Sequence, residues 1–337
     1  MKSAARIRFY SLLVVSLVIE LLVVPSLLEN PVAQNVTLTV GQTGINPGTS
    51  LYFIAQKEKF YLKHGLDVNI VATNTTAAVQ AMLGGTMQMS TGSGAAAFVT
   101  ATAEGAPGFV LVSSWVNIFP YTVMVQQDIK TPQDLRGKVG HVGAPFGAIP
   151  DVALRFALTK LGLDPEKDVR LVQIARPDPA NIIAQMERGD VQFGPLAPPF
   201  DRIAEKRGFR PLISLPELGI PWQNNGEWVQ RSYVKTNRDA VLRFTRAIAD
   251  AIKFYFEQKE KSVAYLTEFL AIDRPDAECA YQAYAKWVDR IPRPKAEGIR
   301  STIEAIKKTT PKAAAADPGS FIDSSLIDQL VKEGYIK

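Results

Sequence analysis

Side chains able to do covalent or metal chemistry are scarce in this sequence. It holds two histidines, His64 and His141. His64 closes a helical pattern just before Gly65, where a charged imidazole suits the carbonyl end of a helix. His141 lies in the middle of a strand pattern. A Ser-His-Asp triad needs a histidine facing an exposed nucleophile, and neither position fits. The lone cysteine, Cys279, excludes an intramolecular disulfide and a cysteine-rich zinc site. It sits in a helical pattern, where a small buried hydrophobe is the expectation. No metal-ligand spacing, P-loop or dinucleotide fingerprint is present, and Gly92-Ser93-Gly94 alone is too short to be one. The expectation is a chain without catalytic residues, metal or cofactor, and not an enzyme.

The chemistry that remains is recognition. Five helices are expected to begin where a strand ends, at Thr49-Ser50, Thr75-Thr76, Thr91 to Gly94, Phe146 to Ile149, and Asp178 to Asn181. Helix starts carry free backbone N–H groups and a partial positive charge, so they receive anions and polar heads. Thr75, Thr76, Ser93, Gly94, Phe146 and Gly147 are ligand candidates on that ground, although each junction alone is also an ordinary cap. Aromatic side chains form the second set. Trp115, Phe119, Tyr121, Phe146, Trp222 and Trp228 fall in loops or crossing strands, where they wall a pocket or pack one lobe on another. Asn117 lies in the same crossing segment as Trp115. Arg176, at a strand end, is placed to pair a carboxylate or sulfonate, or else is solvated.

The elements that position these residues repeat. Residues 36–94 read strand, loop, helix, strand, helix, strand, and residues 138–195 read so again. Two α/β units of one design imply two lobes and a cleft outside the carboxyl ends of their strands. The second lobe is inserted into the first: 34–118 form the first part of lobe I, 119–224 lobe II, and 225–337 a return strand and C-terminal helices of lobe I. The two crossings, near 115–127 and 222–232, are the expected hinge. The return strand is placed at Glu227 to Val234. Past Asn237, Val241, Phe244, Ile248, Ile252 and Tyr255 recur at helical spacing.

A chain of 337 residues, 47% hydrophobic and 21% charged, can bury two cores. Its net charge of +5 is modest and no Lys/Arg run exceeds two residues, so no nucleic-acid partner is expected. Lys2, Arg6 and Arg8 precede an apolar stretch over 9–28 that Glu20 interrupts. That is a secretory signal pattern over 1–33, with cleavage after Ser26 or Ala33. Glu20 costs roughly 2.5–3.5 kcal/mol at the centre of a membrane helix, which favours a cleaved signal over an anchor. A soluble, periplasmic chain is expected.

Several stretches resemble a known family: Ala55-Gln56-Lys57-Glu58-Lys59-Phe60-Tyr61, His64-Gly65-Leu66-Asp67-Val68, Asp134-Leu135-Arg136-Gly137-Lys138-Val139-Gly140, Leu161-Gly162-Leu163-Asp164-Pro165, Gly189-Asp190-Val191 and Pro195-Leu196-Ala197-Pro198-Pro199-Phe200. In order and spacing the chain is similar to the periplasmic substrate-binding proteins of ABC importers of the nitrate/sulfonate/taurine type and to relatives that bind thiamine-pyrimidine precursors. Many relatives carry a Trp-Glu-Pro segment where this chain has Leu196-Ala197-Pro198. The resemblance implies a type II periplasmic-binding fold, a monomer that closes on a small ligand, and delivery to a membrane permease with its ATPase. It places ligand contacts around Gly44, Ile45, Ser93, Phe146, Gly147 and Pro195. A periplasmic sensing subunit and a pyrimidine- or menaquinone-pathway enzyme on the same fold are the alternatives. Helix starts favour an anion and the aromatics an organic body, so a small organic sulfonate or carboxylate is expected.

Overall fold

Val36 opens the first strand, β1 (Val36–Thr43), in which Leu38 and Val40 are fully buried. The computed structural model describes residues 35–143, 146–174 and 179–337; the expected signal segment and Arg176 lie outside them. Around β1 the remaining strands are β2 (Leu66–Thr73), β3 (Met89–Thr91), β4 (Phe109–Ile118), β5 (Thr122–Val125), β6 (Val139–His141), β7 (Arg170–Val172), β8 (Phe193–Leu196), β9 (Arg210–Ser214) and β10 (Pro221–Gln230). Among the described residues no helix is long and apolar enough to cross a membrane.

The strands form two five-stranded sheets of one design, ordered β2-β1-β3-β10-β4 and β7-β6-β8-β5-β9. In each, three parallel strands are followed by one antiparallel strand. That fourth strand has just arrived from the other sheet: β5 follows β4, and β10 follows β9. The repeat visible in the sequence is therefore a repeat of sheets, and the two exchanged strands tie the lobes together twice.

Helices cover both faces of each sheet, as a mostly parallel sheet requires. On the first sheet, the helices Ser50–Lys57, Arg238–Glu257, Lys259–Leu270 and Arg274–Tyr284 bury one face. Thr75–Leu83, Ala96–Ala103 and Ala296–Ile306 bury the other. In Arg238–Glu257 the expected stripe of Val241, Phe244, Ile248, Ile252 and Tyr255 is buried. Ile149–Lys160 packs on one face of the second sheet, and Pro179–Arg188 with Phe200–Lys206 on the other. Gly65 (φ +68°) and Gly162 (φ +79°) stand just past helix ends in left-handed geometry, which stops the helix and turns the chain toward the next strand.

One element differs from expectation. The return strand starts at Pro221, six residues ahead of Glu227, and ends at Gln230; residues Arg231–Thr236 are helical. Its early start comes from pairing with the far end of β4, where Pro221 faces Ile118 through an irregular register. The polar run Gln223-Asn224-Asn225 does not look like a buried strand, yet all three residues are buried.

Candidate ligand-binding cleft

The carboxyl ends of β1, β2 and β3 face those of β6, β7 and β8 across one cavity of about 640 Å³. After β1 comes a tight turn, Pro47–Thr49, capped by Asn46: its Oδ1 accepts from Gly48 N (2.9 Å) and Thr49 N (3.2 Å). After β2, Asn74 caps the helix Thr75–Leu83 by accepting from Ala77 N at 2.9 Å. After β3, Gly94 leads into Ala96–Ala103. The second lobe contributes the starts of Ile149–Lys160 and Pro179–Arg188, and the turn Pro195 to Pro198 after β8. Four helix N-termini thus converge on the cavity and make its centre attractive to negative charge.

Nine of the sequence candidates line this cavity: Gly44, Ile45, Thr75, Thr76 and Gly94 from the first lobe, and Phe146, Gly147, Pro195 and Trp222 from the second lobe and its crossing. Phe146 and Ile45 are its most exposed apolar side chains, at 50% and 64%. Gly147 differs from expectation in one respect. Its N–H is already taken by Asp151 Oδ2 at 2.7 Å, and Asp151 is itself buried and paired with Arg155 at 2.6 Å. Gly147 therefore shapes the loop, at φ +83°, and does not present a free donor.

Four candidates sit elsewhere. Ser93 lies beneath the lining: its Oγ meets Thr43 Oγ1 (3.0 Å) and Ser90 Oγ (2.7 Å), and its carbonyl accepts from Gln223 Nε2 (3.1 Å). Trp115 is fully buried, donates Nε1–H to Gly48 O at 3.0 Å and meets Tyr52 edge-on, so it holds the β1 turn from behind. Asn117 accepts from Ser114 Oγ (2.7 Å) and donates to Asp289 Oδ2 (2.9 Å). Trp228 stacks on Phe98 with ring centres 4.6 Å apart, inside the first lobe. Trp115 and Trp228 point into a core because neighbouring residues of a strand face opposite sides of the sheet. Phe119 and Trp222, one from each crossing, stack on each other at 4.1 Å; Trp222 also lines the cavity, and its buried indole N–H has no partner among the described residues.

Sequence reasoning missed Asn46, Asn74, Gln80, Glu104 and Asn224 as lining residues. Asn46 and Asn74 carried a readable signal, since asparagine before a helix start is a preferred cap. Glu104 had none, because its helix reads as an ordinary buried segment.

Two titratable groups are fully buried within the sheets. Burial pushes the Glu227 carboxyl up to about 7; it faces Thr91 across the β3–β10 pair, with Thr245 Oγ1 at 3.4 Å. Burial pushes His141 down to about 3, and Gly194 leaves room for its ring: a Cβ there would fall 2.0 Å from Nε2. His64 pairs with Asp250 at 3.0 Å, against Tyr335. Neither histidine lines the cavity.

Two like sheets, exchanged fourth strands and a cavity at facing strand ends define a two-lobed periplasmic-binding-protein fold of type II. Residues 46–262 match the NMT1/THI5-like family, and the chain belongs to it. A relative in Bacillus subtilis (strain 168), YtlA, provisionally named a binding protein, is 27% identical over 255 residues, 72% of this chain and 73% of that one. The periplasmic aliphatic sulphonate binding protein SsuA of Escherichia coli superposes with a TM-score of 0.67 at 19% identity, over 87% of this chain and 99% of that one. The desulfurization enzyme DSZB superposes with a TM-score of 0.69 at 14% identity, over 89% of this chain and all of that one. At those identities the two structural likenesses are of fold. The family is thus NMT1/THI5-like, on a fold that the sulphonate-binding protein and the desulfurization enzyme share.

Proposed function

We propose that this chain is the solute-binding component of an ABC importer. It captures one small organic anion, a sulfonate or carboxylate, between its lobes and hands it to a permease served by an ATPase. The protein is exported as a monomer to the periplasm after loss of its first 26 to 33 residues. The observation that carries this reading is the convergence of strand-end junctions from both sheets on one cavity of about 640 Å³. That size suits a small molecule. The helix N-termini would receive the anionic head, and Val79, Ile149, Ile182, Leu196 and Trp222 would wall an organic body. The positions of the histidines, one buried under the second sheet's end and one on the far side of the first lobe, favour binding over turnover.

Melting curves test the reading. Binding to the folded state alone adds about 2.7 kcal/mol at a hundredfold excess of ligand over Kd, and each kcal/mol is worth roughly 2–4 °C for a chain of this size. A screen of alkyl and aryl sulfonates, carboxylates, nitrate and thiamine-related pyrimidines should give a rise of about 5–10 °C with an organic anion. The ligand should be recovered unchanged. A chemically altered ligand would replace the binding reading with an enzymatic one.

A further inference from the structure

We infer that the ligand is bipolar, with an anionic head at the strand ends and an amine-bearing tail that reaches Glu104. This rests on the binding reading above and adds the ligand's second end.

The cavity does not stop between the sheets. It continues along the helix Ala96–Ala103, where Ala97, Thr100, Ala101 and Glu104 line it at steps of three and four residues. Side chains so spaced share one helix face, and that face borders the cavity. Val79 and Gln80 form one facing wall, Ile306 and Thr309 another. Two of the four face residues are alanines, which leaves room for a ligand body. From Ala96 to Glu104 the path is about 12 Å at the helical rise.

Charge along that path is graded. The helix begins at the cleft, where its dipole is positive, and ends at Glu104, where it is negative. Glu104 adds a full negative charge at the same end. It is exposed, it has no ionic partner among the described residues, and it alone carries charge among the described lining residues. An ammonium at the far end of an extended anion would meet both the carboxylate and the helix end. A second anionic group there would be repelled by both.

The test compares two probes, octanesulfonate and its ω-amino counterpart, by calorimetric titration of the wild type, Glu104→Gln and Glu104→Lys. The aminated probe should bind wild type about three- to fivefold more tightly, the range of an exposed ion pair. The preference should fade at high salt, vanish in Glu104→Gln and reverse in Glu104→Lys, with melting of the ligand-free variants unchanged. If both probes bind equally, or the preference survives Glu104→Gln, the bipolar inference is overturned while the organic-anion reading stands. If neither probe binds, the bipolar inference is overturned, and the melting screen alone decides the organic-anion reading.

Discussion

Gly94 of the first lobe stands against Ile149 of the second. A Cβ placed there would fall 2.6 Å from Cγ1 of Ile149, across the cleft. Its backbone is not left-handed, so a side chain strains the meeting of the lobes and not the loop itself. Gly94→Val should therefore act as a wedge. If it leaves the closed arrangement a tenth populated, apparent affinity falls about tenfold, while the melt of the ligand-free protein stays within a few degrees of wild type. Calorimetry beside a thermal melt checks this; unchanged affinity would show that the lobes do not meet at Gly94 when ligand is bound. At this scale the sequence was a partial guide. Gly44, Thr75, Thr76 and Gly94 were legible because strand-to-helix junctions have a chemical signature. Trp115, Asn117 and Trp228 were misplaced because spacing along a strand names two faces without saying which one meets solvent, and here both faces are covered by helices.

Among the elements, the β3–β10 pair carries a fully buried carboxyl group. Glu227 of β10 is fully buried and its carboxyl is pushed up from 4.5 to about 7. Between those values the unfolded chain has released the proton and the folded chain has kept it. Stability must therefore fall as pH rises from 4.5 to 7, by on the order of 3 kcal/mol in all, and level off above. His141 works in the opposite sense: held neutral down to about 3, it costs stability as pH falls below 6.5. Glu227→Gln should remove the first effect alone. Its stability relative to wild type should grow from pH 5 to pH 8, whatever constant offset the amide brings, as read from denaturant midpoints. Parallel pH profiles for the two proteins would contradict the assignment. None of this was visible in the sequence, where Glu227-Trp228-Val229 reads as an ordinary strand and burial of a carboxylate on it cannot be foreseen. The repeat of strand and helix, by contrast, was legible because its glycine-ended helices and apolar strands recur in the same order twice.

At the scale of the whole molecule, two sheets are joined by two exchanged strands, and Phe119 of one crossing stacks on Trp222 of the other. The insertion of one lobe in the other was legible from the repeat; the strand exchange was not, since pairing partners are set by tertiary contact. We propose that the arrangement with Gly94 against Ile149 is the closed one and that the ligand-free chain opens about the crossings. Small-angle scattering with and without a saturating ligand tests this most directly. The account predicts a smaller radius of gyration in the complex, with a profile matching the structure described here, and a wider ligand-free profile. Identical profiles with a tight ligand at saturation would contradict closure of the two lobes on a shared cleft.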